Sequence, residues 1–367
     1  MKVIHFLHEL KFSGAEIMYV DAASIFKSLG CELTVVNTHE SLGEYANTFI
    51  EAGYIIEHKY IPYTFWGKWK MRKELIKFLK EGKYDVVHIH RNDLRWILSY
   101  CAFKAGIKAI YTTHNVFHSH WYSYPLHFLY RWSAQNIFRC TFQAISDTVE
   151  KHERDYYHTS THLIHNWYNN NRFFPATNGE KEKIRKELNI KSNSLVIISV
   201  GGCSPIKRHC HVIYALKEII KTYPDAIYLH LGEGVSLEEE QQLAKDFYLD
   251  KNIRFCGNQK DVRKYLIASD IYVMTSVFEG ISLTTIEAMA CCIPTILYNV
   301  PGLRDFNKQK KCSIIISEDY HKLAGVIIDL YNNSKTQEQL IKNGKELVEY
   351  KYNMATNAKK IFDLYKS

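Results

Sequence analysis

Short runs of apolar and β-branched residues alternate along the chain with longer segments in which apolar residues recur at helical spacing. The first group of runs predicts buried strands at residues 2–7, 32–37, 85–90, 109–114 and 141–146, with a helix over residues 14–30. The second group predicts strands at residues 195–200, 226–232, 252–257, 271–276 and 294–299. Strands that alternate with helices are typical of parallel sheets covered by helices on both faces.

The alternation stops between about residues 166 and 190, in the segment NWYNNNRFFPATNGEKEKIRKELNI. This Asn-rich segment contains a proline, which is typical of a linker that enters a new helix. A chain of 367 residues also exceeds the size of one ordinary core. The sequence therefore predicts an α/β fold of two doubly wound, Rossmann-like domains that face each other across a cleft, with residues 1–168 in the first and 169–349 in the second.

Candidate site residues follow the predicted strands, because open parallel sheets bind ligands outside the carboxyl ends of their strands. Residues of small, polar or titratable type stand at these positions in both halves of the chain. They are His90, His114, Ser146, Gly201, Gly232, Gly257 and Ser276.

The segment from Ser276 to Ile296 carries two carboxylates, Glu279 and Glu287, eight positions apart around a glycine and several hydroxyl residues. It predicts a turn followed by a helix, whose first backbone N–H groups are free to bind a phosphate. Carboxylates accept hydrogen bonds from sugar hydroxyls. A nucleotide sugar would therefore match both the helix start, through its phosphates, and the two carboxylates, through its hydroxyls. On this stretch alone, the alternative that Glu279 caps the helix and Glu287 forms an ion pair stays equally open.

FEGISLTTIEAMA (278–290) resembles the E-x7-E motif of family 4 glycosyltransferases, which are retaining enzymes with the GT-B fold, found in bacterial surface polysaccharide synthesis. Further segments resemble the family's other motifs in order and spacing. They are SGAE (13–16), DVVHIH (85–90), TTHN (112–115), LIHNWYNNNRFFP (163–175) and VGGCSPIKRH (200–209). The resemblance extends over nearly the whole chain, and it implies a glycosyltransferase with a nucleotide-sugar donor.

The resemblance implies roles for the residues that match the motifs. Glu287 would hold the ribose hydroxyls, Glu279 the hydroxyls of the transferred sugar, and Lys207 would neutralise the departing diphosphate. The diphosphate itself would lie on the backbone of Gly280, Ile281, Ser282 and Leu283, with Gly14 facing it from the acceptor side. His114 matches the family histidine that approaches the donor sugar.

The sequence departs from the family pattern near Lys207. Gly202 stands at the family's arginine and Arg208 at the glycine after the lysine, so we expect Arg208 to replace the missing cation in part. Asn115 also replaces the usual aspartate. These departures leave open a catalytically impaired homologue that binds a nucleotide sugar. Apart from them, a solvated lysine after a strand is the alternative for Lys207, and a structural histidine is the alternative for His114.

The acceptor side is predicted in the first domain, where His90 and Arg91 would line the pocket. Residues 59–83 hold eight Lys or Arg against two Glu, and residues 117–139 are dense in aromatics. Basic and aromatic segments suit an anionic membrane surface, and such contact would fit a lipid-linked saccharide acceptor. The alternative is an amphipathic helix that covers the first sheet and exposes its lysines. The final segment, residues 350–367, is expected to pack back onto the first domain.

No metal or other cofactor is expected. The His-x-His pairs 88/90, 118/120 and 209/211 have no Cys or carboxylate at ligand spacing, and the chain has no Asp-x-Asp pair. UDP is the expected nucleotide, and the loop from Gly257 to Val262 is expected to contact its base.

Composition and motifs argue against two other classes of protein. The net charge of +8 arises from 47 basic and 39 acidic residues, which is too balanced for a nucleic-acid-binding protein that also lacks a recognisable module. A nicotinamide-dependent oxidoreductase would need G-x-G-x-x-G after a strand, and neither candidate turn has it.

Nine cysteines without a CxxC pair suit a reducing cytosol. The absence of a signal peptide and of an apolar run of ~20 residues predicts a cytoplasmic protein, at most peripheral on the inner face of the membrane.

Overall fold

The computed structural model describes residues 1–116 and 118–367, so Phe117 of the predicted aromatic segment lies outside the described residues. The chain divides into two compact units. Unit 1 comprises Met1–Asn169 and Met354–Ser367, and unit 2 comprises Asn170–Asn353. The returning segment begins at Met354 rather than at residue 350, because the preceding helix of unit 2 continues to Lys351.

Unit 1 is a parallel sheet with helices between its strands. Its strands are β1 (Lys2–Leu7), β2 (Glu32–Asn37), β3 (Ile55–His58), β4 (Val86–Ile89), β5 (Lys108–Thr113), β6 (Thr141–Ala144) and β7 (His162–Leu163). Its helices are α1 (Gly14–Asp21), α2 (Ala23–Ser28), α3 (Ala46–Glu51), α4 (Phe65–Glu81), α5 (Arg95–Ala105), α6 (Tyr124–Asn136), α7 (Asp147–Tyr157) and the returning α15 (Met354–Lys366). A short 3-10 turn, Asn92–Leu94, precedes α5.

Unit 2 repeats this architecture. Its strands are β8 (Val196–Val200), β9 (Ile227–Leu231), β10 (Ile253–Gly257), β11 (Ile271–Met274), β12 (Thr295–Tyr298) and β13 (Ile314–Ile316). Its helices are α8 (Glu180–Glu187), α9 (Cys210–Ile219), α10 (Leu237–Asp246), α11 (Val262–Ala268), α12 (Leu283–Ala290), α13 (Tyr320–Tyr331) and α14 (Ser334–Lys351), with a 3-10 turn at Arg304–Asn307.

The strand order of each sheet reverses direction once. Sheet 1 runs β3-β2-β1-β4-β5-β6-β7 and sheet 2 runs β10-β9-β8-β11-β12-β13, with every named pair parallel. The reversal falls between β1 and β4 in sheet 1, and between β8 and β11 in sheet 2. Both sheets are therefore doubly wound, which confirms the predicted α/β fold of two Rossmann-like domains.

Three strands escaped prediction, and all three lie at sheet edges. They are β3, β7 and β13, whose side chains are exposed or only partly buried. β7 has only two residues and β13 only three, and β3 ends in the polar residues Glu57 and His58, so none of them shows a long apolar run. The predicted helix over residues 14–30 is also divided, because Ala22 adopts φ −86° and ψ 0° between α1 and α2.

The returning helix α15 completes the core of unit 1. Ala358, Ile361 and Phe362 are buried in one hydrophobic cluster with Val3 of β1 and Phe26 of α2. Among the described residues, no helix combines the length and apolar content that crossing a bilayer would require.

Candidate functional site

Two loops of unit 2 meet at the point where its strand order reverses. One loop follows β8 (residues 201–209) and the other follows β11 (residues 275–282). The backbone N–H of Val277 donates to the carbonyl of Ile206 at 2.8 Å, and the Thr275 hydroxyl contacts the carbonyls of Lys207 and Arg208, each at 2.9 Å. These bonds hold the predicted lysine loop against the turn that opens α12, at the place where doubly wound sheets bind ligands.

Lys207 and Glu279 form an ion pair across these loops. The Lys207 ammonium lies 2.6 Å from Oε1 of Glu279, and the Ser276 hydroxyl donates to the same oxygen at 2.7 Å. Their side chains are 24% and 13% exposed, respectively, so the pair is open to a ligand. Among the described residues, nothing donates to Oε2 of Glu279, which leaves that oxygen free to accept from a hydroxyl.

The start of α12 has the geometry of a phosphate site. Ser282 is the N-cap, and its hydroxyl accepts a 3.2 Å hydrogen bond from the N–H of Thr285. The first N–H groups of the helix, at Leu283 and Thr284, have no partner within the helix, and the helix dipole places partial positive charge there. The predicted diphosphate backbone therefore coincides with a helix start, which follows Glu279 closely in the chain.

Two glycines allow the backbone to close around these loops. Gly302 has φ +80°, and a Cβ there would lie 2.2 Å from the carbonyl oxygen of Glu279. Gly232, at φ +137°, would place a Cβ 2.0 Å from the carbonyl oxygen of Gly201. Any side chain at either position would collide with backbone, so the site requires glycine there. The sequence did not reveal Gly302, because a Pro-Gly pair is equally typical of any turn.

The guanidinium of Arg208 is not free to bind a phosphate, because another side chain already pairs with it. Its Nη1 pairs with the Glu318 carboxylate, and its backbone has φ +50°. A phosphate contact from Arg208 would have to replace Glu318. Gly202, at the family's arginine position, has room for a side chain, because the nearest atom to a built Cβ is the Glu233 carbonyl oxygen at 3.5 Å.

Glu287 lies inside α12, one turn after the capped start, as the segment predicts. It is partly buried. Gly280 and Ile281 are buried in the turn before the helix, so the predicted donor-binding residues from Gly280 to Glu287 lie in one segment, whereas Arg208 lies on the other loop.

In unit 1, His90 and His114 follow β4 and β5, and they are joined to His5 of β1 in a row. His5 Nδ1 lies 3.0 Å from His90 Nε2, and His90 Nδ1 lies 3.0 Å from His114 Nε2. Burial lowers the pKa of His5 to about 3 and the pKa of His114 to about 4, and it holds the pKa of His90 well below the usual range. All three imidazoles are therefore neutral at pH 7. His5 was missed from the sequence, because strand pairing alone brings it to His90.

Arg91 is held by protein groups rather than presented to a ligand. It is buried, and its Nε and Nη2 donate to the two carboxylate oxygens of Asp93 at 2.9 and 2.7 Å. Its Nη1 donates to the Thr38 hydroxyl at 2.7 Å. The proposed acceptor role of Arg91 would require these bonds to open.

Gly14 is the first residue of α1 rather than part of an open loop. Ser13 precedes it in extended conformation, and the Ser13 hydroxyl donates to the Glu16 carboxylate. Burial raises the pKa of Glu16, which is a buried carboxyl in the first turn of the helix. The segment SGAE thus forms a helix start at the end of β1.

Two buried groups have the residue types of a metal site, His5–His88–His90 and Cys203–His230–Glu240. In the first, the two His88 nitrogens already pair with hydroxyls of Tyr365 and Thr112, each at 2.7 Å. The 3.0 Å separation of His5 and His90 nitrogens is a hydrogen-bond distance, whereas tetrahedral ligands at ~2.0–2.1 Å from zinc lie roughly 3.3 Å apart.

In the second group, His230 Nε2 lies 2.9 Å from Glu240 Oε2 and 3.8 Å from the Cys203 sulfur. Burial raises the pKa of that thiol to about 12, so it stays protonated at pH 7. Hydrogen bonds account for these contacts, while Nε2 of His5 and Nδ1 of His230 have no partner among the described residues.

Two family models match the chain, one in each half. Residues 12–172 match the model described as Glycosyltransferase Family 4, and residues 180–347 match the model described as Glycosyl transferases group 1. Among curated relatives, a UDP-Gal:alpha-D-GlcNAc-diphosphoundecaprenol alpha-1,3-galactosyltransferase of Escherichia coli is 27% identical over 79% of this chain and 77% of that protein. The N-acetyl-alpha-D-glucosaminyl L-malate synthase of Bacillus anthracis is 25% identical over 67% of this chain and 63% of that protein.

Solved structures of the same fold cover the whole chain. HepE of Anabaena, crystallised in complex with UDP, superposes with a TM-score of 0.85 at 17% identity, covering 100% of both chains. A glycosyltransferase from Rickettsia africae gives a TM-score of 0.84 at 18% identity, covering 100% of this chain and 97% of that one. Motif order, doubly wound sheets and the two family matches agree, and the chain belongs to the family 4 glycosyltransferases of GT-B fold.

Proposed function

We propose that this glycosyltransferase moves a sugar from a nucleotide-sugar donor to a saccharide or lipid-linked saccharide acceptor, with retention of anomeric configuration and without a divalent metal. Unit 2 would bind the donor and unit 1 the acceptor. The observation that carries the proposal is the Lys207–Glu279 ion pair, which lies beside the free N–H groups at the start of α12.

Each part of a nucleotide sugar has a matching group in unit 2. The N–H groups at the start of α12 suit the diphosphate, and Glu287, further along α12, suits the ribose hydroxyls. Oε2 of Glu279 suits a hydroxyl of the transferred sugar. We propose UDP as the nucleotide, supported by the UDP-Gal donor in the name of the Escherichia coli relative and by the HepE complexes with UDP and UDP-glucose.

The proposed reaction breaks the bond between the anomeric carbon and a diphosphate oxygen. The acceptor hydroxyl oxygen bonds to the same face of that carbon, and its proton passes to the departing diphosphate. Negative charge therefore grows on the diphosphate, where Lys207 and the helix start would stabilise it more strongly than in the ground state. His114 would contact the transferred sugar.

The lipid-linked acceptor and an anionic membrane surface are supported by an exposed aromatic surface on unit 1, formed by α4, α6 and the turn before α6. Trp66 and Trp121 are 70% and 87% exposed, and Phe65 of α4 lies parallel to the Tyr130 ring of α6 at a centroid distance of 6.4 Å. The lysines of α4 add positive charge to the same surface. Flotation with liposomes that contain anionic lipid tests this. The wild-type protein should float with the liposomes, and the control variant with both Trp66→Ser and Trp121→Ser should float less. Recovery of the wild-type protein at the bottom of the gradient would contradict the proposal.

A catalytically impaired homologue that binds the donor is the second candidate function. It is favoured by Gly202 at the arginine position and by the pairing of Arg208 with Glu318. The oxidoreductase alternative is wrong, because both halves of the chain match glycosyltransferase models.

Three successive measurements separate these functions. A thermal-shift screen against nucleotide sugars identifies the donor, and an assay of the stabilising donor with saccharide acceptors, with and without EDTA, measures transfer. NMR of the product gives the anomeric configuration. We expect transfer with retention, unaffected by EDTA and reduced in Lys207→Ala. Stabilisation without transfer or donor hydrolysis would support the impaired homologue, and inversion or loss of activity in EDTA would contradict the proposed mechanism.

A further inference from the structure

The imidazole row of unit 1 has two ends that differ in their surroundings. Its order is His5, His90, His114, with nitrogens 3.0 Å apart at both links. At one end, His5 is fully buried, and its Nε2 has no hydrogen-bond partner among the described residues. At the other end, His114 is only partly buried, and no described residue bonds to its Nδ1.

A neutral imidazole carries one N–H, so the row can be ordered in only two ways. In the first order, His5 donates from Nδ1 to His90, and His90 donates from Nδ1 to His114. The unpaired Nε2 of His5 is then a bare acceptor, and His114 carries its proton on Nδ1. In the second order every proton is reversed, and the unpaired Nε2 of His5 is a buried N–H.

The two orders differ in what they leave unpaired at Nε2 of His5, because one leaves a bare acceptor there and the other a buried N–H. Buried N–H groups without a partner are rarer in proteins than buried acceptors without one, which favours the first order. The first order avoids the orphaned donor. The low pKa of all three rings keeps a third arrangement, with a protonated imidazolium in the row, away from neutral pH.

We infer that His5 and His90 are positioning residues that fix His114 as its Nδ1–H tautomer, so that His114 donates a hydrogen bond from Nδ1 to a lone pair of the bound ligand. His114 then cannot accept a proton at that nitrogen, and it acts as neither a base nor a cation there. The chemistry that it recognises is an oxygen lone pair. That this oxygen belongs to the transferred sugar rests on the proposed function, whereas the tautomer does not.

The direct test is nitrogen NMR of the full chain with ¹⁵N-labelled histidine at neutral pH. Signals of His114 are assigned by their loss in His114→Gln. We expect Nδ1 of His114 to have the chemical shift of a protonated, pyrrole-type nitrogen and Nε2 that of a bare, pyridine-type nitrogen. The reverse assignment in the wild-type protein would overturn the inference. The tautomer is observed in the wild-type spectrum, and His114→Gln serves only to assign the signals.

Two variants of His90 test the positioning role. In His90→Asn the side-chain amide retains a donor near the position of Nδ1, so the tautomer of His114 should be kept. In His90→Leu the donor is lost, and we expect the Nε2–H form of His114 to become populated. An unchanged His114 spectrum in a folded His90→Leu protein would show that the row does not set the tautomer.

The kinetic consequence is measured with the donor that the thermal-shift screen identifies. We expect His90→Leu to lower kcat/KM about 10-fold, equivalent to one hydrogen bond of ~1.4 kcal/mol, and His90→Asn to restore most of it. Donor analogues discriminate further, because a deoxyfluoro sugar keeps an acceptor that a deoxy sugar lacks. At the position that His114 contacts, the fluorinated donor should be the better substrate, and equal loss with both analogues would contradict donation from Nδ1. If no donor is turned over, the proposed function fails, while the NMR result still decides the tautomer.

Discussion

The Glu279 carboxylate has two oxygens in different situations. Oε1 accepts from both the Lys207 ammonium and the Ser276 hydroxyl, whereas Oε2 accepts from no described residue. In the proposed reaction, the pair would keep the ammonium in place before the donor binds, so little reorganisation would be needed when charge develops on the diphosphate.

Lys207→Ala should therefore lower kcat by roughly 10–100-fold, since a charge-assisted contact of ~1.5–3 kcal/mol is lost in the transition state. Lys207→Arg should recover only part of this, because a planar guanidinium does not replace a compact ammonium. Steady-state kinetics measure both. Lys264→Ala, which removes an exposed ion pair with Glu187 elsewhere in unit 2, is the matched control and should have wild-type kcat.

Gly202→Arg should increase activity. A side chain fits at this position, and it would return a cation to the family's arginine position while Arg208 remains paired with Glu318. We expect kcat to rise by about 10-fold, as one added charge-assisted contact would give. Gly202→Gln has similar reach without the charge, and an equal effect of Gln and Arg would show that charge at this position does not matter.

The buried histidines of unit 1 should make the protein less stable in acid. Burial lowers the pKa of His5, His88, His90 and His114 below the ordinary value of ~6.5, so between about pH 6.5 and pH 4 the unfolded chain binds protons that the folded chain does not. The free energy of unfolding should fall with decreasing pH, by up to ~1.4 kcal/mol per pH unit for each histidine. Urea unfolding at several pH values measures the slope. His5→Phe should reduce it, the exposed His321→Gln should not, and an unchanged slope in His5→Phe would contradict the argument.

The sequence names candidate site residues but not their partners. Motif positions select Lys207, Glu279 and His114 as candidates. The Lys207–Glu279 contact joins residues 72 positions apart, and the His5–His90 contact joins residues 85 positions apart. Such contacts depend on which strands are neighbours, which a single sequence does not state.

At the scale of elements, α12 would link stability to donor binding in the proposed function. Its N-cap, Ser282, both completes the helix and belongs to the segment that would hold the diphosphate. The strands that flank this helix start, β8 and β11, are buried on both faces, and their continuous apolar runs made them easy to predict. The edge strands β3, β7 and β13 are short and exposed or only partly buried, and they were found only in the structure.

Ser282→Ala should lower the free energy of unfolding by about 1 kcal/mol, the usual cost of a lost N-cap, and should also weaken donor binding. Asn333 is a matched control, because it caps α14 with a 2.9 Å bond to the Thr336 N–H. Asn333→Ala should lose similar stability with unchanged donor affinity. Urea unfolding and calorimetric titration of the donor measure the two quantities. Equal donor affinity in both variants would remove Ser282 from the site.

At the scale of the whole molecule, the chain leaves unit 1 at Asn169 and returns to it at Met354. The final helix α15 is not an appendage, because its apolar face is part of the main cluster of unit 1. The sequence predicted this return from the family resemblance, whereas its starting residue depended on where α14 ends.

Phe362→Ala should destabilise unit 1 by ~3–5 kcal/mol, as for other buried aromatic residues, and leave unit 2 unaffected. Hydrogen exchange followed by mass spectrometry reports both units in one sample. Peptides from β1 and α2 should exchange faster, and peptides from β8 and β11 should not. Tyr350→Ala, at a side chain 82% exposed on α14, should change neither. Faster exchange confined to unit 2 would contradict the assignment of α15.

Unit 1 is formed by two separate segments of the chain, so it cannot complete its fold until the second segment has been synthesised. Residues 170–353 number 184, and at ~5–20 residues per second a ribosome needs roughly 10–40 s to make them before it reaches α15. Throughout that interval unit 1 lacks α15 and exposes the apolar surface that α15 covers, whereas unit 2 needs no later segment of the chain to complete its core. The protein is therefore expected to depend most on chaperones during synthesis of its later half.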